Sequence, residues 1–513
     1  MLRRFWSVET GIFLGIWLVL MIFGRSALLR DPGTFWHPMV GEHMIQTDRV
    51  IHADPFSFTR LGQPWTAHQW LSEICMAIVH RLGGFDALLT VTVSLLAGVY
   101  TWLASRMLRA GFHLLPVGLL TALVLLASSH QFHVRPLVVS QALFGYTFAL
   151  LVDIEAGRQP LTRLWRFVIV VILWSNLHAG VLAGIATVGL CVAGWCLAGL
   201  LGHRQSPVQG RRDVGRMAAL TAACLLAVLA NPYGLGLPRA WLNTLAMPLP
   251  GLLQEHAPID LRHPLGWTTV ALGVGYLVAL LGVLPRRPRV TWLIPLVWFV
   301  LACQRVRNVP MFAITVALVL ADMLPHTRWA KWLEGREMFL PPDGSRRLKP
   351  EPMNWRPAVI PVVLVTVALS LQIAGVSAPV VGRGWARFDP RLWPVELLAE
   401  LRDIDRKSAQ STPIFNDLTF GGFLIYHAPR MRVFVDDRCA LYGSDFLTAY
   451  DHARRWQPDQ LEQWQRQYDF RHALVATGAN FDRYLDDAPE WVAVRRTPAA
   501  TLYRRERTKR SIP

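Results

Sequence analysis

Acids and histidines crowd the stretch 31–70, DPGTFWHPMVGEHMIQTDRVIHADPFSFTRLGQPWTAHQW, directly after the first apolar run. An acid beside a membrane can act as general base on a hydroxyl, or hold a divalent cation such as Mg or Mn through its oxygens. Asp31 and Asp54 are the acids that could do so here, with His37 and His68 among the tryptophans and phenylalanines around them. Further on, HQFHVRP supplies His133 and Arg135, and CQRVRN supplies Arg305, Arg307 and Asn308. Guanidinium matches phosphate oxygens in a fork, so His133, Arg135, Arg305 and Arg307 are the candidates to neutralise a phosphate. SNLHAG adds Asn176 and His178, NPYG adds Asn231, and the stretch behind it adds Glu255. Acid on one side and cations on the other suit group transfer from a lipid-phosphate donor. The plainer reading is that each cluster only ends a helix at the interface, its arginine snorkelling. The mixture of acids, histidines and arginines favours a common cavity.

Positioning such residues requires a membrane. Hydrophobic residues make up 53% of the 513, too many for one soluble core and enough for several spans. The runs 10–29, 87–108, 114–129, 137–152, 167–176, 181–201, 217–230, 267–284, 291–301, 311–324 and 358–374 give about eleven spans. The run at 10–29 reads as a retained anchor, and 68–82 as a short interfacial helix. The formal charge of +17 does not indicate a nucleic-acid partner. Its basic residues fall in RMLR, GRQPLTRLWR, HRQSPVQGRRDVGR, PRRPR and the tract 326–356, on alternate loops, which is the positive-inside pattern. This puts the N-terminus in the cytoplasm and every polar cluster named above on the outer side of an inner-membrane protein. The six cysteines form no CxxC pair and read as packing residues.

The domains expected are a bundle over 1–377 and a soluble domain over 378–513. Within the bundle, 30–83 is a first outer loop, 231–265 a second, and 326–356 a basic cytoplasmic loop. In the soluble part TPIFND, RMRVFVDDR and HALVAT read as strands, LTFGGFLIYHA as a helix, and WVAVRRTPAATLYRRE as a closing hairpin: a small extracytoplasmic α/β layer. Its notable corners are Asn416 and Asp417 in NDLTFGG, and Asp436, Asp437 and Arg438 in VDDRCALYG. Polar residues at strand ends often line a ligand crevice, although Asp436, Asp437 and Arg438 also make sense as a structural ion-pair turn.

The layout resembles the GT-C superfamily of membrane glycosyltransferases, through Asp31 in DPGTFWHPMVGEHM, Asp54 in DPFSFT and the tail GQPWTAHQWLSE. The oligosaccharyltransferase catalytic subunits are similar in plan, but NDLTFGGFLIYH lacks the tryptophans of their WWDYG-type motif, so sequon recognition does not carry over. VDDRCALYG also resembles segments of uncharacterised bacterial membrane proteins. The GT-C resemblance implies a mainly α, polytopic bundle and a sugar donor linked to polyprenyl phosphate. It implies transfer on the outer face of the membrane to a glycan, lipid or protein acceptor. Asp31 would be the catalytic base or the acid nearest a metal, Asp54 a second acid and Glu255 a partner acid. The rival readings are a flippase for a lipid-linked glycan, and a non-catalytic subunit of envelope-glycan assembly. Polar residues crowding one face disfavour the flippase.

Overall fold

The computed structural model describes residues 6–203, 206–247, 254–284, 287–339, 355–409 and 411–506. Parts of the expected N-terminal segment, of the second outer loop and of the basic tract 326–356 lie outside the described residues. The bundle is built from α1 (Val8–Ala27), α2 (Gly33–Thr47), α3 (Trp70–Arg109), α4 (Leu114–Ser128), α5 (Leu137–Glu155), α6 (Arg166–Leu177) and α7 (Val181–Leu200). After these come α8 (Gly210–Ala227), α9 (Gly236–Ala246), α10 (Pro264–Leu281), α11 (Ile294–Gln304), α12 (Val309–Met323), α13 (Trp329–Glu334) and α14 (Arg356–Ile373).

Each of the eleven apolar runs is helical, but among the described residues eight helical stretches are long and apolar enough to cross a membrane. The other three are α6, α8 and α11. At 12 residues α6 is about 18 Å long, short of the ~30 Å hydrocarbon layer. All fifteen residues of α12 are buried, so this helix, apolar on every side, is the axis of the bundle. It packs against α3, α4, α5, α10 and α11.

The first outer loop is more ordered than its composition suggests. It opens with α2, a helix the sequence hides because Pro38 sits inside it and removes one backbone donor. The segment 70–82 is helical as expected but runs on into the span as α3. The helix breaks at Gly83 and Gly84, where Gly84 takes φ 65°, a conformation suited to glycine. Arg81 on α3 grips Glu42 on α2 through two hydrogen bonds of 2.6 and 2.8 Å.

At the opposite end, charge ties the helices together. Asp322 accepts from Arg289 and from Trp292, while Asp153 accepts from Arg106 and Arg158. Arg106, Arg158 and Arg289 belong to the basic tracts RMLR, GRQPLTRLWR and PRRPR, and the acids they hold sit at the adjoining ends of α5 and α12.

The C-terminal domain carries α15 (Leu398–Lys407), β1 (Thr412–Asn416), α16 (Gly421–His427), β2 (Met431–Val433) and α17 (Cys439–Trp456). It ends with α18 (Gln460–Tyr468), β3 (His472–Ala476), α19 (Asn480–Asp487), β4 (Trp491–Arg496) and β5 (Ala500–Arg505). The strand order is β2-β1-β3-β5-β4, parallel across β2, β1 and β3 and antiparallel beyond. The strand expected over RMRVFVDDR is only three residues long. Beyond it the chain leaves β1, and the outer edge of β2 is taken by the first outer loop instead. Val433 N–H donates to Phe56 O at 3.2 Å, and Phe58 N–H donates to Val433 O at 3.0 Å.

Side chains alternate across a strand, and here the alternation separates two cores. Phe415, Phe434, Val475 and Tyr503 point into the domain's own core, whereas Ile414, Val433, Leu474 and Leu502 face the other way. That second face shares one apolar cluster with Phe35, Trp36, Val40 and Trp65 of the first outer loop, joined through α16, where Phe423 meets Phe35 edge to face. Gly422 on α16 sits so close to the loop that a Cβ there would lie 2.3 Å from Pro32 O. Loop and domain are one folded unit.

Candidate functional site

Where this unit meets the bundle, the residues read as outer polar clusters converge. Asp31 precedes α2, and one of its oxygens accepts the Gly33 N–H at 2.8 Å. Its other oxygen accepts from Arg135 Nη1 at 2.8 Å, and the same Nη1 reaches Glu255 at 3.2 Å. One guanidinium thus bridges acids that lie 104 and 120 residues from it in sequence. Arg135 is held there by its own short loop, whose Val134 N–H donates to Leu28 O at the end of α1. Arg307 closes the far side of Glu255, donating to His256 at 2.9 Å and standing 3.9 Å from the Glu255 carboxylate.

The C-terminal domain contributes Asp437, whose Oδ1 accepts from the Trp36 indole at 2.7 Å. Burial pushes the Asp437 carboxyl up to about 8, and the neighbouring Asp31 carboxylate pushes it the same way. Burial would raise Glu255 too, but Arg135 and Arg307 overcome it and hold this acid down at about 2. Arg135 stays charged because Asp31, Glu255 and Asp437 more than offset its burial. The histidines stay neutral. Burial, with Arg135, His68 and His178 nearby, takes His37 well below its usual range, while burial and Arg307 take His68 to about 4. Burial likewise lowers His133, next to Asp31 and Arg135. The site is therefore a set of acids, two guanidiniums and neutral imidazoles sharing one field.

Other expected residues have different neighbours. Asp54 is 2% exposed and turned away into the loop–domain junction. Its carboxylate accepts Phe56 N–H and Ser57 N–H and pairs with Arg438 Nη1 at 2.7 Å. Arg438 also binds Asp436 through two bonds of 2.8 and 2.7 Å, and Tyr442 donates to Asp436. This buried Asp54–Arg438–Asp436 triad is the ion-pair reading of VDDR, extended to a third partner. The pair of acids expected to hold a divalent cation, Asp31 and Asp54, does not fit one, because every oxygen of Asp54 is occupied by protein donors. Among the described residues no group of three or more His, Cys, Asp or Glu forms a metal site.

Asn416 ties β1 to β2, accepting from Phe434 N–H and donating to Val435 O. Asp417 accepts from Tyr450 and from Ala476 N–H. Asn231 folds its own turn, bonding Tyr233 N–H and Val228 O. Asn308 caps the end of α11 through Leu301 O. Asn176 receives the Trp70 indole and donates to Ala230 O, which fixes the start of α3. Arg305 is exposed at the rim. Sequence reasoning missed Trp36, which orients Asp437, and Glu73, which accepts or shares a hydrogen with His37 Nδ1 at 3.0 Å. An acid at the start of an otherwise apolar helix was the available signal for Glu73.

No protein-family model and no curated protein sequence matches the chain. Solved structures do. The oligosaccharyltransferase of Archaeoglobus fulgidus in its apo form aligns at a TM-score of 0.54 and 11% identity, over 91% of this chain and 69% of that one. The same enzyme tethered by a disulfide to an acceptor peptide containing the NVT sequon gives 0.53 and 12%, over 91% and 68%. ArnT from Cupriavidus metallidurans bound to undecaprenyl phosphate gives 0.46 and 15%, over 97% of both chains. The fold is thus similar to that of the Archaeoglobus fulgidus oligosaccharyltransferase. The chain is a multi-pass membrane protein with this fold and a small C-terminal sheet domain.

Proposed function

We propose that this protein is a glycosyltransferase that moves a sugar from a polyprenyl-phosphate-linked donor to a glycan, lipid or protein acceptor on the outer face of the inner membrane. One observation carries the reading: Arg135 bridges Asp31 and Glu255 at the end of a membrane bundle, under a domain that delivers Asp437. This contact supports reading Asp31 as the base and Arg135 and Arg307 as the phosphate-binding cations of one site. Asp31 takes the proton of the acceptor hydroxyl as its oxygen bonds to the anomeric carbon of the sugar. The bond from that carbon to the phosphate oxygen breaks, and polyprenyl phosphate leaves with the electron pair. Arg135 and Arg307 stabilise the charge on that phosphate. Membrane lipids around the bundle hold the polyprenyl chain. An oligosaccharyltransferase of similar fold has been solved with a tethered acceptor peptide, which supports an acceptor as a partner of this protein.

The test incubates purified wild type and Asp31→Asn with radiolabelled polyprenyl-phosphate sugars and a membrane-lipid extract. Transfer by the wild type, lost in a variant that still elutes as a sharp peak, is the expected result. Donor binding without transfer by either protein would refute the enzyme and favour the flippase.

A further inference from the structure

His178 sits at the end of α6, and its ring takes no part in the transfer scheme above. A chain of three hydrogen bonds nevertheless fixes it. The Trp174 indole N–H donates to Ser140 Oγ at 2.8 Å, and Ser140 Oγ lies 2.8 Å from His178 Nδ1. The Gly180 backbone N–H donates to that same Nδ1, also at 2.8 Å. A ring nitrogen that accepts from a backbone N–H carries no proton. With Nδ1 bare, the Ser140 hydroxyl can only donate to it, so the Gly180 N–H and the Ser140 O–H share the one lone pair of this nitrogen. The single proton of the neutral ring is therefore on Nε2.

No group among the described residues pairs with that Nε2–H, and the atom is not sealed in the protein. The imidazole is within electrostatic reach of Arg307, His68, Arg135 and Glu255, the walls of the candidate site. Burial and the two arginines keep the ring neutral. An imidazolium would add a third positive charge beside two guanidiniums, whereas a neutral ring with its proton on Nε2 adds a donor at no such cost.

We infer that His178 is a fixed-tautomer donor whose Nε2–H binds a phosphate oxygen of the lipid-linked donor, with Ser140 and Trp174 as its positioning residues. The inference rests on the donor reading proposed above. It separates the anion-binding work of the site into two kinds, charge from Arg135 and Arg307 and direction from His178.

The test measures binding of a short-chain polyprenyl phosphate to full-length protein in nanodiscs. His178→Gln keeps an N–H near the position of Nε2, and His178→Asn does not reach it. His178→Asn should bind the probe roughly ten- to a hundred-fold more weakly, as expected for losing one hydrogen bond to a charged group, with His178→Gln within about three-fold of wild type. Nitrogen NMR of histidine-labelled protein, with His178→Gln identifying the signal, should show a bare Nδ1 and a protonated Nε2. In Ser140→Ala the Nδ1 signal should move, and binding should weaken by about three- to ten-fold. A protonated Nδ1, or wild-type affinity in His178→Asn, overturns this inference alone. No binding of the probe by the wild type overturns the donor reading and this inference with it.

Discussion

Replacing Asp54 with asparagine separates a structural acid from a catalytic one. In the native protein the Arg438 guanidinium has Asp54 on one side and Asp436 on the other, and all three side chains are at most 1% exposed. The substitution removes the charge of one partner and leaves one acceptor oxygen, which can serve the Ser57 N–H in place of Oδ2 but not the Phe56 N–H on Oδ1 as well. Breaking a wholly buried pair costs ~3–5 kcal/mol when the surviving charge is left alone. Arg438 is not left alone, since two bonds to Asp436 remain. The expected loss is therefore nearer that of one charged hydrogen bond, about 2–3 kcal/mol. It should appear as a lower melting temperature of the detergent-solubilised protein and as faster proteolysis between the bundle and the C-terminal domain. Sugar transfer per folded molecule, measured at a temperature where the variant is still folded, should change little. A variant that melts with the wild type but has lost transfer would refute the assignment and return Asp54 to the chemistry.

Three other perturbations read the same architecture. Asp437 holds a proton up to about pH 8 in the folded protein, whereas an ordinary carboxyl near 3.8 has released it. The folded state thus binds more protons between these values, so this group's contribution to stability is present at low pH and is lost as pH rises through that window. Asp437→Asn should accordingly gain on the wild type in thermal melts from pH 5 to 8; an unchanged difference across that range would rule the titration out. Gly422→Ala drives a methyl to within 2.3 Å of Pro32 O and should part the domain from the loop, seen as increased hydrogen exchange in both 32–36 and 420–427 but not in α12. Glu255→Gln removes an anion that competes with phosphate for Arg135 and Arg307, so polyprenyl phosphate should bind roughly three- to ten-fold more tightly. Weaker binding would mean that Glu255 instead holds those arginines in position.

The legible features were those set by nearby residues. Hydropathy is a local property, and each of the eleven apolar runs became a helix. In the C-terminal domain the alternation of short strands with helices signalled a small α/β layer, one face of which the structure fills with Phe415 and Tyr503 and the other with Ile414 and Leu502. What covers the second face could not be read, because Phe35 and Trp36 meet Phe423 only through tertiary packing. The convergence of outer clusters followed from topology, but the partners within it did not. Arg135 and Glu255 were read as parts of separate clusters, and nothing local specifies that one guanidinium bridges Asp31 and Glu255. The two acidic corners show the limit most clearly. DPFSFT and VDDR both carry aspartate, and in VDDR which acid faces the site depends on a one-residue step along the chain. Asp436 turns into the junction with Arg438, and Asp437 turns out toward Asp31.

The pairing of the first outer loop with the edge of β2 also sets a timetable. Arg438 follows Asp54 by 384 residues. At a synthesis rate of roughly 5–20 residues per second, on the order of 20–80 s pass between the two. Throughout that interval the loop has its aromatic face uncovered and Asp54 is without its arginine. A chain that stalls or terminates early never acquires Asp437 or the sheet that roofs the site. Release of the last domain is therefore the event that assembles the acid cluster, and only a chain carrying that domain holds Asp31, Glu255 and Asp437 together.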